Sequence, residues 1–590
     1  MGEEAAARTD GTLGRPGPAA AARRRVRLPG PFALAPGATL LVMVGPVAAG
    51  LLGTLGPAAG YLPALGGVAP SWEPLRAFIA TPGIGRSVLL SVTTGFAATL
   101  ASLAITILIV AALQGIRAFA LVQRALSPLL SVPHAAAAFG LAFLIAPSGW
   151  IARALSPWAT GWDKPPDLLV VHDPLGLALV AGLVAKEVPF LLLMTIAALS
   201  QADARHARAL ALTLGYGPVT GWLKVVLPRV WPQIRLPVYA VLAYSMSVVD
   251  VAMILGPTTP ATLSVRLVEW MSDPDLSLRY RAAAGAIVQT VLVVAGIGVL
   301  RAAERAAATA GRRWIAAGGR NASDGPARIL AATLAAATAL SIGLGLSGLA
   351  IWSVAGLWSF PDVLPDTLTP RIWLREAPHL GGPVLATFAI GAAAALVAVA
   401  LTVACLESEV RHGHRPTTRS LWLLYLPLIV PQTGFLFGLQ TLASAAGIER
   451  TAAAVAAAHV VFVLPYVFLS LSGPWRAWDV RHATLAATLG AGPERILWRL
   501  RLPMLLPAVL TAAAVGFAVS VGQYLPTLLV GGGRVETLTT EAVALSAGGD
   551  RRVIGVYALL QTLAPLPAFA LAVALPALLF RRRRGMTAAP

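Results

Sequence analysis

Charge is scarce in this chain of 590 residues, where Asp, Glu, Lys and Arg together make up 12%. A soluble domain carries about 25%, so an ordinary water-facing globule is excluded. Lysine is scarcer still: only Lys164, Lys186 and Lys224 occur, and none follows a glycine. A phosphate-cradling loop of the Walker type needs a Gly-Lys pair, so the chain carries none. The single cysteine, Cys405, excludes an intramolecular disulfide and reads as a small packing residue at a helix end. The eight histidines give no H-E-x-x-H or comparable zinc spacing, and no G-x-S-x-G elbow is present. In ESEVRHGH, His412 and His414 lie near Glu407 and Glu409. Residues two apart do not share a helical face, so an exposed basic loop explains them better than a metal site. No metal, cofactor or catalytic group is expected.

What the chain has instead is apolar length. Hydrophobic residues make up 57%, and the mean hydropathy is +0.75. Crossing a bilayer as a helix takes about 20 such residues. Twelve blocks qualify, near 35–58, 88–112, 125–147, 174–199, 236–257, 281–300, 329–353, 382–405, 420–443, 453–472, 506–530 and 554–580. The expected fold is all-α, a polytopic membrane protein of twelve transmembrane helices. If the amino terminus lies inside, the inside segments hold 31 of the 45 Lys and Arg residues and the outside loops hold 13, with Lys186 in a span. That asymmetry places both termini in the cytoplasm. The net charge of +19 then reports topology and no nucleic-acid face, while RRRVR and RRRR can touch anionic membrane lipid. The first 32 residues read as a retained basic tail, although a cleaved signal peptide competes with that reading.

The chain repeats itself. LGYGPVTGWLKVVLPRVWP begins at Leu214 and LGAGPERILWRLRLPMLLP at Leu489, an offset of 275 residues. The offset relates Gly215 to Gly490, Gly217 to Gly492, Pro218 to Pro493, Leu227 to Leu502 and Pro228 to Pro503. It persists through the next span, where Ser245 pairs with Ser520, Gly256 with Gly531, and Thr262-Leu263 with Thr537-Leu538. A weaker match joins Pro133 to Pro431 at an offset of 298, the difference falling in the long loop SPWATGWDKPPDLLVVHD. Six spans return a chain to its starting side, so the halves form a parallel repeat of two six-helix bundles. The expected division is a basic tail at 1–32, a first half at 33–300, a linker at 301–328, a second half at 329–580 and a basic tail at 581–590.

Each doubled loop joins a short Ala- and Leu-rich helix, a glycine that ends it, and an amphipathic segment running to Leu-Pro. The glycine permits a sharp turn and the proline is expected to constrain the chain where it returns to the membrane. Basic residues flank both copies, Arg229 and Arg235 in the first and Arg495, Arg499 and Arg501 in the second. A surface linker with helical caps would use the same punctuation, but the repeated spacing favours a rigid element that carries force to another protein.

This pattern resembles the cytoplasmic signature of the membrane-spanning subunits of binding-protein-dependent ABC importers: Glu-Ala-Ala, three residues, Gly, then Leu-Pro. The resemblance covers both halves, so the chain looks like two permease subunits fused, as in importers of thiamine and ferric iron. The stretch GQYLPTLLVGGGRVETLTTEAVAL from Gly522 is similar to fused permeases of unassigned or thiamine-like substrate. The signature glutamate is replaced by Ala209 and Thr484, and of its alanines only Ala211 and Ala486 remain. The resemblance implies that both loops dock on two copies of a cytoplasmic ABC ATPase subunit, which supplies the missing ATP hydrolysis. It also implies a solute-binding protein outside, delivering a small molecule or ion, and a bacterial inner membrane location. Polar candidates for the pathway are Tyr244, Asp250 and Gln289 in the first half and Gln432, Gln523 and Tyr524 in the second. An ion-coupled secondary transporter would also show two related halves, and Lys186-Glu187 and Asp250 are the ionisable residues it could use. The same residues can equally be interhelical struts.

Overall fold

The computed structural model describes residues 31–320, 324–413, 417–448 and 450–581. Most of the 1–32 tail, His414 and the 582–590 end fall outside these residues. The described residues are helical, with three isolated β-bridges as their only extended pairing. Among the described residues nine helices are long and apolar enough to cross a membrane, or eleven if each of two sharply bent pairs counts as one span.

The apolar blocks are where the sequence puts them, but several are not continuous. The block expected at 125–147 becomes a helix at Arg117–Leu126, a 3-10 turn at Pro128–Ser131 and a second helix at His134–Ile145. The block at 420–443 bends by 84° between Ile429 and Gln432. In both, the matched prolines Pro133 and Pro431 are the N-caps of the following helix, at φ of −60° and −53°, the value to which the proline ring confines the backbone. The expected linker at 301–328 is helical through Ala316, as the continuation of Leu278–Ala316.

The fifth block of each half also breaks. Leu227–Ser247 stops before Asp250–Leu255, and Leu506–Val521 stops before Leu525–Gly531. The breaks share the 275-residue register, Val249 and Tyr524 being the two N-caps. Carbonyls freed by each break are collected by matched hydroxyls from farther along the chain. Ser264 Oγ donates to Val248 O at 2.7 Å, and Thr539 Oγ1 donates to Val521 O. The following helices start alike: Leu263 N–H donates to Ser91 Oγ at 2.9 Å and Leu538 N–H to Thr387 Oγ1 at 3.0 Å. A broken helix inside an apolar bundle survives only if its freed backbone groups are satisfied in this way.

The bundles are not separate. Pro31–Ala58, the first helix of the first half, packs on Gln432–Ala445 of the second. Reciprocally, Gly325–Val354 packs on His134–Ile145. Glycines make both crossings close enough for backbone contact: a Cβ on Gly140 would meet the Gly345 carbonyl carbon at 2.8 Å, and one on Gly53 would meet Gly438 O at 2.8 Å. Gly438 N–H also donates to Thr54 Oγ1 at 3.0 Å. Such small-residue contacts are how helices associate where lipid removes the hydrophobic drive. Within each half the remaining helices pack in the same pattern, Ile84–Leu113 with Leu177–Gln201 and Leu227–Ser247, and Arg371–His412 with Ala452–Ala477 and Leu506–Val521.

Candidate functional site

The doubled loops have one backbone plan. Ala204–Thr213 and Val480–Thr488 are the short helices, and Gly215 and Gly490 leave them at φ of 77° and 79°. A side chain rarely adopts that left-handed conformation. Gly217 and Gly492 then cap new helices in extended geometry, with Pro218 and Pro493 at the first helical position. Proline suits that position because its missing N–H would have no partner there.

The Leu-Pro pair lies within a run of helical turns in each copy. It follows a π-helical turn, Trp222–Val226 in the first loop and Leu497–Arg501 in the second. Leu227 N–H donates five residues back to Trp222 O, and Leu502 N–H to Leu497 O. The wider turn accommodates Pro228 and Pro503, which lack the donor an α-turn would use. The second copy bends nearby, by 73° between Met504 and Leu506.

The side chains differ. In the first loop Ala211 is buried and Ala209 exposed, while in the second Ala486 is half-buried and Thr484 exposed. Both loops present apolar side chains to the outside at matched positions, Leu210 with Leu485 and Leu214 with Leu489. The first loop is braced by the chain between the halves. Lys224 Nζ donates to Gly319 O at 2.9 Å and lies over the Trp314 ring, and Asp324 Oδ2 accepts from Val219 N–H at 3.3 Å. The second is rooted in ions: Glu407 pairs with Arg501 and with Arg411 at 2.9 Å, and Arg411 reaches Glu494 at 2.6 Å. Arg501, one of the basic residues of the second loop, is 3% exposed and stacks on Trp478.

The polar pathway candidates divide into two groups. Gln289 is a strut between halves, donating to Met246 O at 3.2 Å and accepting from Thr433 Oγ1 at 2.7 Å. Gln523 turns back on Val519 O of its own helix at 3.4 Å, and Gln432 is half-buried at a helix start. Tyr244, Asp250 and Tyr524 instead gather at the broken fifth spans. Tyr524 hydroxyl meets Met253 Sδ of the first half at 3.7 Å, Asp250 is within electrostatic reach of both Tyr244 and Tyr524, and Glu187 and Tyr466 are within electrostatic reach of Tyr244. The sequence left out Tyr466 and His134, whose ring lies 4.9 Å from that of Tyr244. Their only local signal is a place beside Pro465 and Pro133. Lys186 is tied down as a strut, donating to Leu129 O at 2.8 Å and Val132 O at 2.6 Å. Among the described residues no three His, Cys, Asp or Glu side chains converge as metal ligands.

Comparison with known proteins places this geometry. Residues 408–585, which contain the second loop, match the family described as binding-protein-dependent transport system inner membrane component. The inner membrane ABC transporter permease protein YnjC of Escherichia coli K12 is 31% identical over 498 residues, covering 84% of this chain and 89% of that protein. The molybdenum transport system permease protein ModB of Mycobacterium tuberculosis is 32% identical over 178 residues, 28% of this chain and 67% of that protein. The spermidine/putrescine transport system permease protein PotC of Haemophilus influenzae is 28% identical over 127 residues, 22% of this chain and 49% of its own length. The chain therefore belongs to the binding-protein-dependent transport system inner membrane components, and is the non-catalytic membrane permease component of an ABC-type transport system.

Proposed function

We propose that the chain is a fused double permease that forms the whole translocation pathway of an ATP-driven importer. Its halves, 33–300 and 329–580 joined through 301–328, span the membrane twelve times with both termini cytoplasmic. The twelfth span beyond the eleven counted by length and hydropathy is Leu227–Ser247 with Asp250–Leu255, whose charged first turns (Arg229, Arg235) lower its average. The observation that carries the reading is the shared register of two complete loops, from the glycines at positive φ through the π-turns to Leu-Pro. Two equal loops suit two copies of one ATPase subunit, and the matched exposed leucines Leu210, Leu214, Leu485 and Leu489 offer each copy the same apolar contact.

In this reading Ala209, Ala211, Thr484 and Ala486 lie on the docking helices, and Gly215, Gly217, Gly490 and Gly492 set their exit. Leu227, Pro228, Leu502 and Pro503 pass ATPase closure into the broken fifth spans. Solute released by a binding protein enters at the outer side, and closure tilts the halves to open the inner one. Two of the named relatives are permeases of molybdenum and spermidine/putrescine transport systems, and thiamine-like, iron and oxyanion cargoes are the candidates for this chain. The paired loops favour this reading over an ion-coupled carrier, in which Glu187 and Asp250 would be the ionisable residues. The test is affinity purification of the tagged chain from its native membrane. Recovery of an ABC ATPase at two copies per chain is expected, and uptake in proteoliposomes driven by an ion gradient with no ATPase would overturn the importer reading.

A further inference from the structure

The helix Leu278–Ala316 outlasts its apolar block, which ends near Leu300, by sixteen residues. From Arg301 to Arg320 the chain carries five arginines and one carboxylate, Glu304. That carboxylate is turned inward, accepting from Trp231 Nε1 and the Tyr239 hydroxyl at 2.5 Å each. Arg305, Arg312, Arg313 and Arg320 are exposed, and among the described residues none of the four forms an ion pair. The end of this basic rod is fastened to the first loop. Gly318 turns the chain at φ of 68°, Gly319 O accepts from Lys224 Nζ at 2.9 Å, and the Trp314 and Tyr216 rings flank that ammonium at 4.6 and 5.2 Å. The Arg320 guanidinium lies 5.8 Å from the centre of the Tyr216 ring, and its Nη1 is 3.6 Å from where a Cβ on Gly215 would stand. Leu214 beside that glycine is 47% exposed, and Trp314 and Ile315 are 43% and 41% exposed. The outer surface of the first loop thus continues into the chain between the halves. At Gly490 a Cβ would meet nothing within 4 Å among the described residues, so the second loop has no such extension at its exit.

Anionic lipid and an acidic protein surface compete for such arginines, and distance separates them. Arg312 lies twelve residues past Leu300, about 18 Å along a helix axis. Electrostatic attraction is screened over about 8 Å at physiological ionic strength, so headgroups at the end of the apolar block are out of range. Composition points the same way. Exposed Trp314 and Ile315 beside unpaired arginines combine an aromatic ring, an aliphatic side chain and guanidinium groups, and aromatic residues and arginine are what protein interfaces concentrate. A protein that seats on Leu210 and Leu214 would reach this surface without a gap, because Arg320 already lies against the loop's exit. Carboxylates on that protein are the complement.

We infer that the ATPase copy on the first loop docks on a composite surface, the short helix together with Trp314, Ile315 and the arginines 312, 313 and 320, which meet an acidic patch of that copy. The inference rests on the importer reading and adds that the two ATPase sites are unequal. To test it, the ABC ATPase that co-purifies with the wild-type chain is expressed separately and titrated onto the full-length chain in nanodiscs, with one docking helix disabled at a time by Leu489→Asp or Leu214→Asp. With the second helix disabled, Arg312→Glu combined with Arg313→Glu is expected to raise Kd about tenfold, because like charges then oppose each other. With the first disabled, the same reversal is expected to change Kd less than about twofold. Equal effects in the two backgrounds, or no effect in either, would overturn the composite surface. Discs of phosphatidylcholine alone and discs with added phosphatidylglycerol are expected to agree, and an effect confined to the anionic discs would assign the arginines to lipid and overturn it too. The unsubstituted chain supplies a second measurement that no folding defect can confuse: amide exchange at 312–320 is expected to slow together with that of Ala204–Thr213 when the ATPase is added. Slowing of Ala204–Thr213 alone would overturn the inference and leave the importer reading standing, whereas a wild-type chain that recovers no ATPase would remove both.

Discussion

The two loops share a backbone and differ in what holds it. The first is braced from the side: Trp222 is buried and donates to Gln114 Oε1 at 2.9 Å, Lys224 is pinned to Gly319 O, and Ala207 and Ala211 are covered. The second has no buried residue in its short helix, and its root is held by the ion network of Glu407, Arg411, Arg501 and Glu494. Equal backbones with unequal supports teach that the geometry belongs to the repeat, while rigidity was added to each copy separately. Only the first copy has the chain between the halves at hand.

The largest expected effect breaks the comparison at the second root. Glu407 and Arg501 are 5% and 4% exposed in their side chains, and removing one partner of a buried pair costs about 3–5 kcal/mol because the other charge is left uncompensated. Glu407→Gln is expected to lower the thermal unfolding midpoint and expose Arg501 and Arg499 to trypsin. Lys224→Met in the first loop removes its own charge together with the bond, leaving only a neutral carbonyl, and is expected to cost less, about 1–3 kcal/mol. Equal loss in the two variants would show that the second loop does not depend on its ion network.

A smaller effect sharpens the comparison at the glycines. A valine forced to the φ of Gly215 or Gly490 is strained by about 1–3 kcal/mol, and neither position has a neighbour closer than ordinary contact. The cost is therefore conformational. The unbraced second loop can relax around it, whereas the braced first loop cannot. Gly215→Val is expected to reduce ATPase recovery and ligand-stimulated hydrolysis more than Gly490→Val, and the double variant most, with membrane abundance unchanged. Normal recruitment and hydrolysis in the double variant would reduce both glycines to ordinary helix ends.

How much of this was legible follows from the range of each interaction. The loops could be read because their determinants are local: a glycine at positive φ and a proline at the first helical position act on their own residues. Span location was legible because hydropathy is a sum over neighbours. The breaks in the fifth spans were not, because Ser247, Val248 and Val249 carry no breaking signal, and the hydroxyl that receives Val248 O comes from Ser264. The exchange of first helices depends on Gly53 meeting Gly438, far apart in sequence. The surroundings of the pathway candidates were hidden for the same reason. Tyr244, Asp250 and Tyr524 gather at the breaks, whereas Gln289 bonds Thr433 across the halves, and a polar residue in an apolar run announces neither role.

The smallest effect concerns the caps of the two short helices, where the repeat offers the same aspartate and the fold uses it once. Asp479 accepts a hydrogen bond from Arg481 N–H at 2.9 Å and so caps Val480–Thr488. Asp203 stands at positive φ with no such bond, and its carboxylate lies 2.9 Å from the His206 ring instead. Hydrogen bonds from the Arg481 side chain and backbone hold the Asp479 carboxyl below its ordinary value of 3.8. A carboxyl lowered on folding contributes stability that is complete above the unfolded value and lost as pH falls through the folded one. Amide exchange protection of Val480–Thr488, corrected for intrinsic rates, is therefore expected to be flat above about pH 5 and to fall below the ordinary carboxylate range. Asparagine caps a helix without titrating, so Asp479→Asn should keep the protection and remove this pH dependence, while Ala204–Thr213 should show no matching step. A pH profile unchanged by Asp479→Asn would mean that the second helix is held at its start by something other than this carboxylate, and the contrast between the two caps would lose its physical content.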